Sequence, residues 1–402
     1  MLTLTLTLTL LPGCDAQAAT PTDLATASDA PEAEARDLTM ACLLNGYLTN
    51  STFDQARDGS YRTFWESKID HGAHQLIITP PGGEKAAGIL IRWRSEPRAL
   101  NVQVRDGDSW RTVASCGADF FAQYIELPDI GEEFRLVRAD DPAREMQICE
   151  ISVWSPGALP EDVQLWQKPP ETVDMMLLVG HPDDEVLWFG GLLPTYAGER
   201  KKSVLVVLAA PNLYNRRLEL LDSLWTCGVN VYPVICGYPD ICTNDMNTVY
   251  DAWRKTIVQG DITALYRRYR PKVVVLHDVK GEYGHGVHRV MSDAGRKAAE
   301  FANDPEKYPE SAAEYGLWDV PKVYVHLLAD NQITMDWHQP LARFGGTTGQ
   351  DVARKAFKCH VSQQGKRWRV EDGGIWDNSL FGLWRTTVGP DVEKNDLFEH
   401  IE

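Results

Sequence analysis

The stretch that most constrains this chain is Met175–Gly191, which reads MMLLVGHPDDEVLWFGG. Its apolar run has the length and composition of a fully buried strand in a parallel sheet. The run ends in His181, Asp183 and Asp184, at the strand end where open α/β sheets bind their ligands. Because charges beside a core strand are costly unless they are paired or bind a metal, the stretch predicts a functional site.

The second half of the chain alternates between strand-like and helical patterns. This alternation predicts a Rossmann-like α/β domain with a parallel sheet, which we place at residues 158–402. The predicted strands are Asp174–Gly180, Ser203–Ala209, Val229–Ile235, Lys272–Leu276 and Lys322–Leu328, and the predicted helices include Arg216–Cys227, Asp261–Arg270, Val287–Phe301 and Asp351–Cys359. The tail, Asp372–Glu402, has no clear period.

Residues 37–157 have a different character, with short alternating runs between Gly, Pro and Asp turns. Such spacing predicts an all-β sandwich. Its strands are predicted at Gly88–Trp93, Leu100–Arg105, Trp110–Ser115, Ala122–Leu127, Glu133–Ala139 and Gln147–Trp154. The phrases Asp70–His74 and Ile148–Gly157 resemble a discoidin-like (coagulation factor 5/8 type C) domain. That resemblance implies a jelly roll that binds carbohydrate. The candidates for stacking on a sugar ring are Trp65, Trp93 and Trp110, and the alternative is that these side chains pack in the core.

The first 36 residues read as a leader and tether. Leu10–Cys14 (LLPGC) resembles a bacterial lipobox, which predicts an exported or cell-surface protein with Cys14 as a candidate lipid anchor; a disordered leader is the alternative. In an exported protein Cys42 and Cys149 are candidates for a disulfide, with free thiols as the alternative. The formal net charge of -17 argues against nucleic acid as a partner.

A second polar cluster follows the predicted strand Lys272–Leu276. It reads GEYGHGVH and supplies His285 and His288. Parallel strands bring their carboxyl ends to one edge, so these histidines are expected near His181 and Asp184. If Pro182 opens a helical turn, His181 and Asp184 project to the same side. Imidazole and carboxylate are zinc-type ligands, with helix capping and a solvated charge cluster as the alternative.

The paired motifs GHPDDE and GEYGHGVH resemble those of the PIG-L/LmbE-like N-acetylglucosaminyl deacetylases over residues 172–365. The resemblance implies zinc, with another divalent metal left open, and the following roles. The metal ligands are His181, Asp184 and His288, the general base is Asp183, the oxyanion is stabilised by His285, and substrate is contacted by Arg216. The second motif usually reads HPDH, whereas this chain has HGVH, which puts the support of a histidine in doubt.

These features predict hydrolysis of the N-acetyl group of a GlcNAc-containing glycan or glycoconjugate. Arg216 and Asp240 are expected on the same strand-end side as the metal ligands, and Lys358 and Gln363 are expected to line the same cleft, all as substrate-binding residues. Two other functions stay open. One is a glycan-binding protein with an inactive deacetylase-like domain, and the other is a hydrolase of a different amide conjugate.

Overall fold

The computed structural model describes residues 33–45, 53–67, 69–70, 73–141, 143–211 and 213–402. The predicted leader and lipobox, including Cys14, lie outside the described residues. Residues Glu34–Glu402 form one compact unit.

The first part of this unit forms two antiparallel sheets. Their strands are β1 (Leu43–Asn45), β2 (Trp65–Glu66), β3 (Ile69–Asp70), β4 (Ala73–Thr79), β5 (Ala86–Trp93), β6 (Leu100–Asp106), β7 (Ser109–Cys116), β8 (Ala122–Ile130), β9 (Phe134–Arg138) and β10 (Gln147–Trp154), with a 3₁₀ helix at Phe53–Ala56. One sheet has the order β1-β4-β9-β6-β7, with β3 beside β4, and the other has the order β2-β10-β5-β8. All six strands predicted in this region are present.

The tryptophans proposed for sugar stacking have other surroundings here. Trp65 and Trp93 are buried in the core, with exposed fractions of 3% and 1%. Trp110 lies between the guanidinium groups of Arg105 and Arg135, each 4.3 Å from its ring centroid. Trp65 and Trp93 therefore serve core packing, because a buried ring has no face left for a sugar.

The second part of the unit is built on a seven-stranded sheet of order β13-β12-β11-β14-β15-β17-β16. Its elements are β11 (Met175–Val179), α1 (Asp184–Leu187), a π-helix (Pro194–Glu199), β12 (Val204–Leu208), α2 (Tyr214–Thr226), β13 (Val234–Ile235), α3 (Met246–Trp253), α4 (Lys255–Tyr269), β14 (Val273–Leu276), α5 (Gly286–Phe301), α6 (Pro309–Tyr315), β15 (Lys322–His326), β16 (Gln332–Thr334), α7 (Gly349–Phe357) and β17 (Leu380–Thr386), with 3₁₀ helices at Ala342–Phe344, Val361–Gln363 and Gly374–Trp376. Strands β11 to β15 run parallel, which confirms the Rossmann-like prediction.

The sheet is not parallel throughout. Strand β17 pairs antiparallel with β15 and with β16. It comes from the tail in which the sequence shows no period, because its burial follows from its place beside β15 rather than from alternating residues. Within the described residues, no helix is long and apolar enough to cross a membrane.

Direct contacts join the two antiparallel sheets to the α/β part. The Tyr232 hydroxyl accepts a hydrogen bond from the Phe121 amide at 2.8 Å. The Arg217 guanidinium lies 3.9 Å from the centroid of the Phe121 ring and donates to the Arg94 carbonyl. Arg217 therefore serves this interface. The domain boundary at residues 157/158 stays a prediction.

The two cysteines considered for a disulfide are free, as are Cys236 and Cys242. Within the described part of the chain, Cys42, Cys149, Cys236 and Cys242 are all thiols, and the first two are buried. Burial raises the pKa of the Cys42 thiol to about 11. The suggested pairing of Cys42 with Cys149 is therefore not present in the structure.

Candidate active site

The site lies where the strand order reverses. From β11 the chain steps outward to β12 and β13 and then returns to β14 on the other side of β11. The segments that follow β11 and β14 therefore diverge around one crevice, which is the usual ligand position in such sheets. These segments carry His181 and Asp184 after β11, and His277, His285 and His288 after β14.

Three of the predicted residues converge on one point. His181 Nδ1 lies 3.2 Å from His288 Nε2 and 3.5 Å from Asp184 Oδ2. Asp184 Oδ2 lies 3.3 Å from His288 Nε2. Two imidazole nitrogens and one carboxylate oxygen at mutual distances of this size form a donor set that suits zinc. Among the described residues, ligand atoms of His285 and His277 also lie close enough to join such a cluster.

Asp184 is held by the end of β11. Its Oδ2 accepts hydrogen bonds from the amides of Gly180 at 3.0 Å and His181 at 2.7 Å, while Oδ1 accepts from the Trp188 indole at 2.8 Å. The helical turn expected at Pro182 is absent, and α1 begins at Asp184 itself. His181 and Asp184 meet because the carboxylate binds the backbone of the preceding turn.

Both histidines of the cluster contact a carboxylate through their other ring nitrogen. His181 Nε2 lies 3.1 Å from Asp240 Oδ1, and His288 Nδ1 lies 2.6 Å from Glu282 Oε2. A metal-binding histidine almost always donates its other ring N–H in this way, which fixes the tautomer that leaves a lone pair for the metal. The residues present therefore fit a zinc ion. Asp240, predicted as a substrate contact, supports His181 and also lines the cleft.

Glu282 lies at the centre of a buried histidine network. Its Oε1 is 3.0 Å from His277 Nδ1, 3.1 Å from His326 Nδ1 and 3.0 Å from the Asp278 amide nitrogen. Burial by itself would raise the pKa of Glu282, but the charges and hydrogen bonds of His277 and His288 together hold it well below its usual range. Glu282 supplies the histidine support that the altered HGVH motif put in doubt.

Asp183 stands beside the cluster without joining it. Burial raises the pKa of Asp183 to about 7, against the opposing effect of Arg216. Asp183 Oδ2 lies 3.2 Å from the Arg216 guanidinium, which also donates to the Pro182 carbonyl. Its φ of 119° is in the left-handed region, a strained conformation of the kind that functional sites hold. The geometry suits a proton acceptor next to the metal ligands.

The backbone of Asp183 is fixed by Glu185. Glu185 Oε2 accepts from the Asp183 amide at 2.8 Å, and Oε1 accepts from the Ser223 hydroxyl at 2.6 Å. His360 Nε2 lies 2.6 Å from the same Oε1. His360 is fully buried behind Glu185. Its role is therefore to support Asp183 from behind.

His285 faces the cleft at the start of α5. Its Nδ1 accepts a hydrogen bond from the Val287 amide at 3.3 Å, which leaves the proton on Nε2. Burial, together with the charges of His181 and His288, lowers the pKa of His285 to about 4. A neutral imidazole with its N–H directed into a cleft is suited to hydrogen-bond a developing oxyanion.

The cleft around these groups has a volume of about 120 Å³ and has one polar and one aromatic wall. Its lining residues are His181, Asp183, Asp184, Leu187, Trp188, Arg216, Asp240, Tyr283, His285, Gln363 and Trp368. Gln363 is thus placed as predicted. Lys358 is exposed at the end of α7 and is not among the described residues that line the cleft, because the helix turns its side chain to solvent.

Sequence reasoning assigned no role to five residues that complete the site. Glu282 and Tyr283 stand within the second motif, where a buried carboxylate among histidines was an available signal. His277 lies four residues before that motif, and Trp188 lies three residues after GHPDDE. Trp368 lies in a segment without a motif, so that only the tertiary structure brings it to the cleft.

A Rossmann-like sheet that carries a His–Asp–His cluster and a neighbouring carboxylate at its switch point defines a metal-dependent hydrolase. The model of the family described as PIG-L, GlcNAc-PI de-N-acetylase, matches residues 176–299. That range contains the metal-ligand candidates together with Asp183, Arg216, Asp240, Glu282 and His285. The described residues Gln363 and Trp368 lie beyond it.

Two curated relatives of this chain are named as deacetylases. The chain is 30% identical over 262 residues to the 1D-myo-inositol 2-acetamido-2-deoxy-alpha-D-glucopyranoside deacetylase of Rhodococcus opacus, over 56% of this chain and 80% of the relative. It is 28% identical over 203 residues to deacetylase 1 of the same description from Catenulispora acidiphila, over 44% and 62%. The chain belongs to the PIG-L family of metal-dependent amidohydrolases.

The chain spans 62% of the length of the Catenulispora acidiphila enzyme. A solved structure that it matches is N,N'-diacetylchitobiose deacetylase from Pyrococcus horikoshii, with 18% identity, a TM-score of 0.35, and coverage of 48% of this chain and 72% of that one.

Proposed function

We propose that this chain is a zinc-dependent deacetylase that removes the N-acetyl group from a GlcNAc-containing glycan or glycoconjugate. The observation that carries the proposal is the convergence of His181 Nδ1, Asp184 Oδ2 and His288 Nε2 within 3.5 Å of one another. Asp183 and His285 stand beside that point with the properties that amide hydrolysis needs. The names of the relatives supply the substrate class.

His181, Asp184 and His288 would hold the metal. Bound zinc lowers the pKa of a coordinated water from about 15.7 to about 7 and polarises a carbonyl group. Three protein ligands leave one position open in the usual tetrahedral arrangement. Asp240 and Glu282 keep the two histidines in the tautomers that ligation requires.

Asp183 moves the proton. Its carboxylate accepts a proton from the attacking water at the moment when the acetamide carbonyl carbon becomes tetrahedral. The same carboxyl group then returns that proton to the nitrogen, so that the C–N bond breaks and an amine and acetate leave. The Arg216 guanidinium, 3.2 Å away, orients Asp183 and limits the positions that the carboxylate can take.

His285 stabilises the oxyanion. The Nε2–H of its neutral ring points into the cleft, where it can donate to the carbonyl oxygen as charge develops. Removing one donor of this kind typically lowers the rate by about 10²–10³-fold. Gln363 lines the opposite part of the cleft and has an amide to contribute to sugar hydroxyls.

We also propose that residues 37–157 form a discoidin-like jelly-roll sandwich that binds carbohydrate, and that residues 158–402 are the catalytic domain. The two antiparallel sheets and their contribution to one hydrophobic core support the first part. We further propose that the protein is exported and that Cys14 is its lipid anchor, on the basis of the LLPGC sequence.

The test is to measure metal content and acetate release together on the purified chain. The substrates are GlcNAc, N,N'-diacetylchitobiose and the GlcNAc–inositol conjugate. We expect one zinc ion per chain and acetate release from at least one substrate. A variant that carries His181→Ala, Asp184→Ala and His288→Ala should hold no zinc.

Three outcomes would contradict the proposal. A folded triple variant that retains stoichiometric zinc would show that the metal binds elsewhere. Stoichiometric zinc in the parent without acetate from any of the substrates would favour a glycan-binding protein. Activity only on amides without a sugar would favour the other enzyme class.

A further inference from the structure

Helix α2 contacts the active site on one side and the antiparallel sheets on the other. Arg216, Glu219 and Ser223 are buried, and their spacings of three and four residues place them on one face of the helix. Tyr214 and Arg217 project from the other side and contact residues of the antiparallel sheets. A displacement of this helix would therefore affect both parts of the molecule.

The active-site face of α2 holds Asp183 in two ways. The Arg216 guanidinium lies 3.2 Å from Asp183 Oδ2. The Ser223 hydroxyl donates a hydrogen bond to Glu185 Oε1 at 2.6 Å, and Glu185 Oε2 accepts one from the Asp183 amide at 2.8 Å. Both the carboxylate and the backbone of Asp183 therefore depend on the position of α2.

The same face of α2 also holds one wall of the cleft. The Glu219 carboxylate accepts hydrogen bonds from the Ser362 amide at 3.0 Å and from the Ser362 hydroxyl at 2.5 Å. The Ser362 hydroxyl in turn accepts a hydrogen bond from the side-chain amide of Gln363 at 3.0 Å. Gln363 lines the cleft, so the position of α2 influences this residue as well as Asp183.

The opposite face of α2 is anchored to the antiparallel sheets. The Arg217 guanidinium, with only 15% of its side chain exposed, donates to the Arg94 carbonyl at 3.2 Å and lies 3.9 Å from the centroid of the Phe121 ring. The Tyr214 hydroxyl donates to the Arg62 carbonyl at 3.0 Å. Arg62, Arg94 and Phe121 all lie outside the range 176–299 that the family model matches. This anchor is thus an addition to the part of the chain that carries the motifs.

Asp222 adds a second anchor further along α2. Its Oδ2 accepts a hydrogen bond from the Tyr61 hydroxyl at 2.7 Å, and its Oδ1 accepts one from the side-chain amide of Gln164 at 2.6 Å. Asp222 directly precedes Ser223, which bonds Glu185. The far end of the active-site face is therefore held by the same neighbouring part of the molecule.

The first turn of α2 depends on these contacts because it has no side-chain cap. Leu213 occupies the N-cap position and makes no side-chain hydrogen bond to the helix, since leucine carries no acceptor. The amides at the start of a helix have no intrahelical partner, and an N-cap side chain normally satisfies one of them. Tertiary contacts therefore fix the turn that carries Arg216 and Arg217.

We propose that Arg217 is a positioning residue for catalysis, which anchors the first turn of α2 to the antiparallel sheets and thereby holds Arg216 against Asp183. The inference rests on the proposed deacetylase function, in which Asp183 moves the proton. It makes the antiparallel sheets part of the catalytic unit, because the orientation of Asp183 depends on residues that they supply.

The experiment measures kcat, KM and zinc Kd for Arg217→Gln in the full chain, on the substrate that the parent hydrolyses fastest. We expect kcat to fall by about 10–100-fold, because a small misplacement of a catalytic group is costly even when the substituted residue is remote. The zinc Kd should stay that of the parent, since Arg217 contacts no metal ligand. Arg217→Lys should restore part of kcat, because an ammonium group can also donate to the Arg94 carbonyl and face the Phe121 ring.

The matched control is Tyr232→Phe. The Tyr232 hydroxyl accepts a hydrogen bond from the Phe121 amide at 2.8 Å, so this variant weakens the same interface at the same residue. Tyr232 precedes β13 and is not part of α2. The control should lose stability, because a buried amide is left without a partner, yet keep the kcat of the parent. An equal loss of kcat in both variants would overturn the inference.

A double-mutant cycle tests whether Arg217 acts through Arg216. The effects of Arg216→Gln and Arg217→Gln on kcat should be far from additive, because both remove the same support of Asp183. Additive effects would show that Arg217 acts by another route and would overturn the inference. A parent-like kcat in Arg217→Gln would also overturn it, while leaving the deacetylase proposal intact.

Unfolding tests the same inference without activity. The coupling between Arg216→Gln and Asp183→Asn in the free energy of unfolding should be smaller in the Arg217→Gln background than in the parent. If no substrate releases acetate, the proposed function fails, and this comparison still decides whether Arg217 positions Arg216. Equal coupling in the two backgrounds would overturn the inference.

Discussion

Replacing Glu282 by glutamine removes the buried carboxylate that supports the metal ligands. Glu282 Oε2 lies 2.6 Å from His288 Nδ1. Its other oxygen, Oε1, is shared by His277, His326 and the Asp278 amide at 3.0–3.1 Å. The Asp278 amide donates to Glu282, and His277 and His288 donate from Nδ1 in the tautomers that leave Nε2 as an acceptor. His326 uses Nε2 to donate to the Asp377 carbonyl oxygen at 3.0 Å.

Glutamine has one oxygen and one NH₂ group, so it cannot accept at both ends. If its oxygen faces His277, His326 and Asp278, its NH₂ faces His288 Nδ1. His288 must then move its proton to Nε2, and the lone pair that faces His181 and Asp184 is lost. The opposite orientation sets the NH₂ against two donors, the Asp278 amide and His277 Nδ1, and is less favourable. The expected result is a folded protein with one metal ligand in the wrong tautomer.

The size of the effect follows from the loss of this hydrogen bond. Changing the partner of a metal-binding histidine typically weakens metal affinity by about 10–100-fold. At about 1.4 kcal/mol per factor of ten, that corresponds to about 1.4–2.8 kcal/mol. We expect the zinc Kd of Glu282→Gln to rise by this factor and part of the activity to return at high zinc concentration.

The assay is competition for zinc between the metal-free protein and a chelating dye, with thermal unfolding as a check on folding. Glu185→Gln is the matched control, because Glu185 is another fully buried carboxylate that contacts a histidine, His360, outside the ligand set. Its zinc Kd should stay within about twofold. A folded Glu282→Gln protein with the zinc Kd of the parent would refute the tautomer argument.

Asp183→Asn should keep stoichiometric zinc and lose turnover, because an amide side chain cannot act as a base near neutral pH. Metal analysis together with acetate release checks this, and an active variant would exclude Asp183 as the general base. Gly180→Ala should weaken zinc binding, since the added Cβ would lie 3.0 Å from His288 Cδ2 and 3.1 Å from Asp184 Oδ2. An unchanged zinc Kd would show that these side chains can shift without loss of zinc affinity. Burial raises the pKa of Glu150 from 4.5 to about 7, so the folded state holds its proton more tightly than the unfolded state. That stabilisation, about 2 kcal/mol once screening by solvent is allowed for, is present below pH 4.5 and is lost as the pH rises to about 7. The parent should therefore lose this much more stability over that range than Glu150→Gln, and parallel pH profiles of unfolding would contradict the assignment.

The principal metal-site residues could be predicted because their positions follow from strand ends. Buried apolar runs identify β11 and β14, and parallel pairing forces the residues after them to one edge. The two strand ends therefore bring together His181, Asp184 and His288, and this does not depend on the detailed conformation of the loops. The prediction of a helical turn at Pro182 was wrong, because Asp183 adopts a φ of 119°. His181 and Asp184 meet because the Asp184 carboxylate accepts hydrogen bonds from the Gly180 and His181 amides.

Residues that approach the site from other parts of the chain carried no such constraint. Lys358 and Gln363 are five apart, yet only Gln363 reaches the cleft, since the end of α7 decides which side chain turns inward. Arg217 follows Arg216 directly but packs against Phe121, because successive helical residues point in different directions.

The sequence by itself determined the alternation of strands and helices, the edge at which the chemistry collects, and the ligand types that collect there. These depend on hydrophobic periodicity and on the geometry of parallel pairing, which are local or nearly local properties. Only the tertiary structure decided that Glu282 and Asp240 orient the histidines, that β17 completes the sheet, and that Trp368 lines the cleft. These contacts join residues far apart in the chain, and packing of the whole fold fixes them.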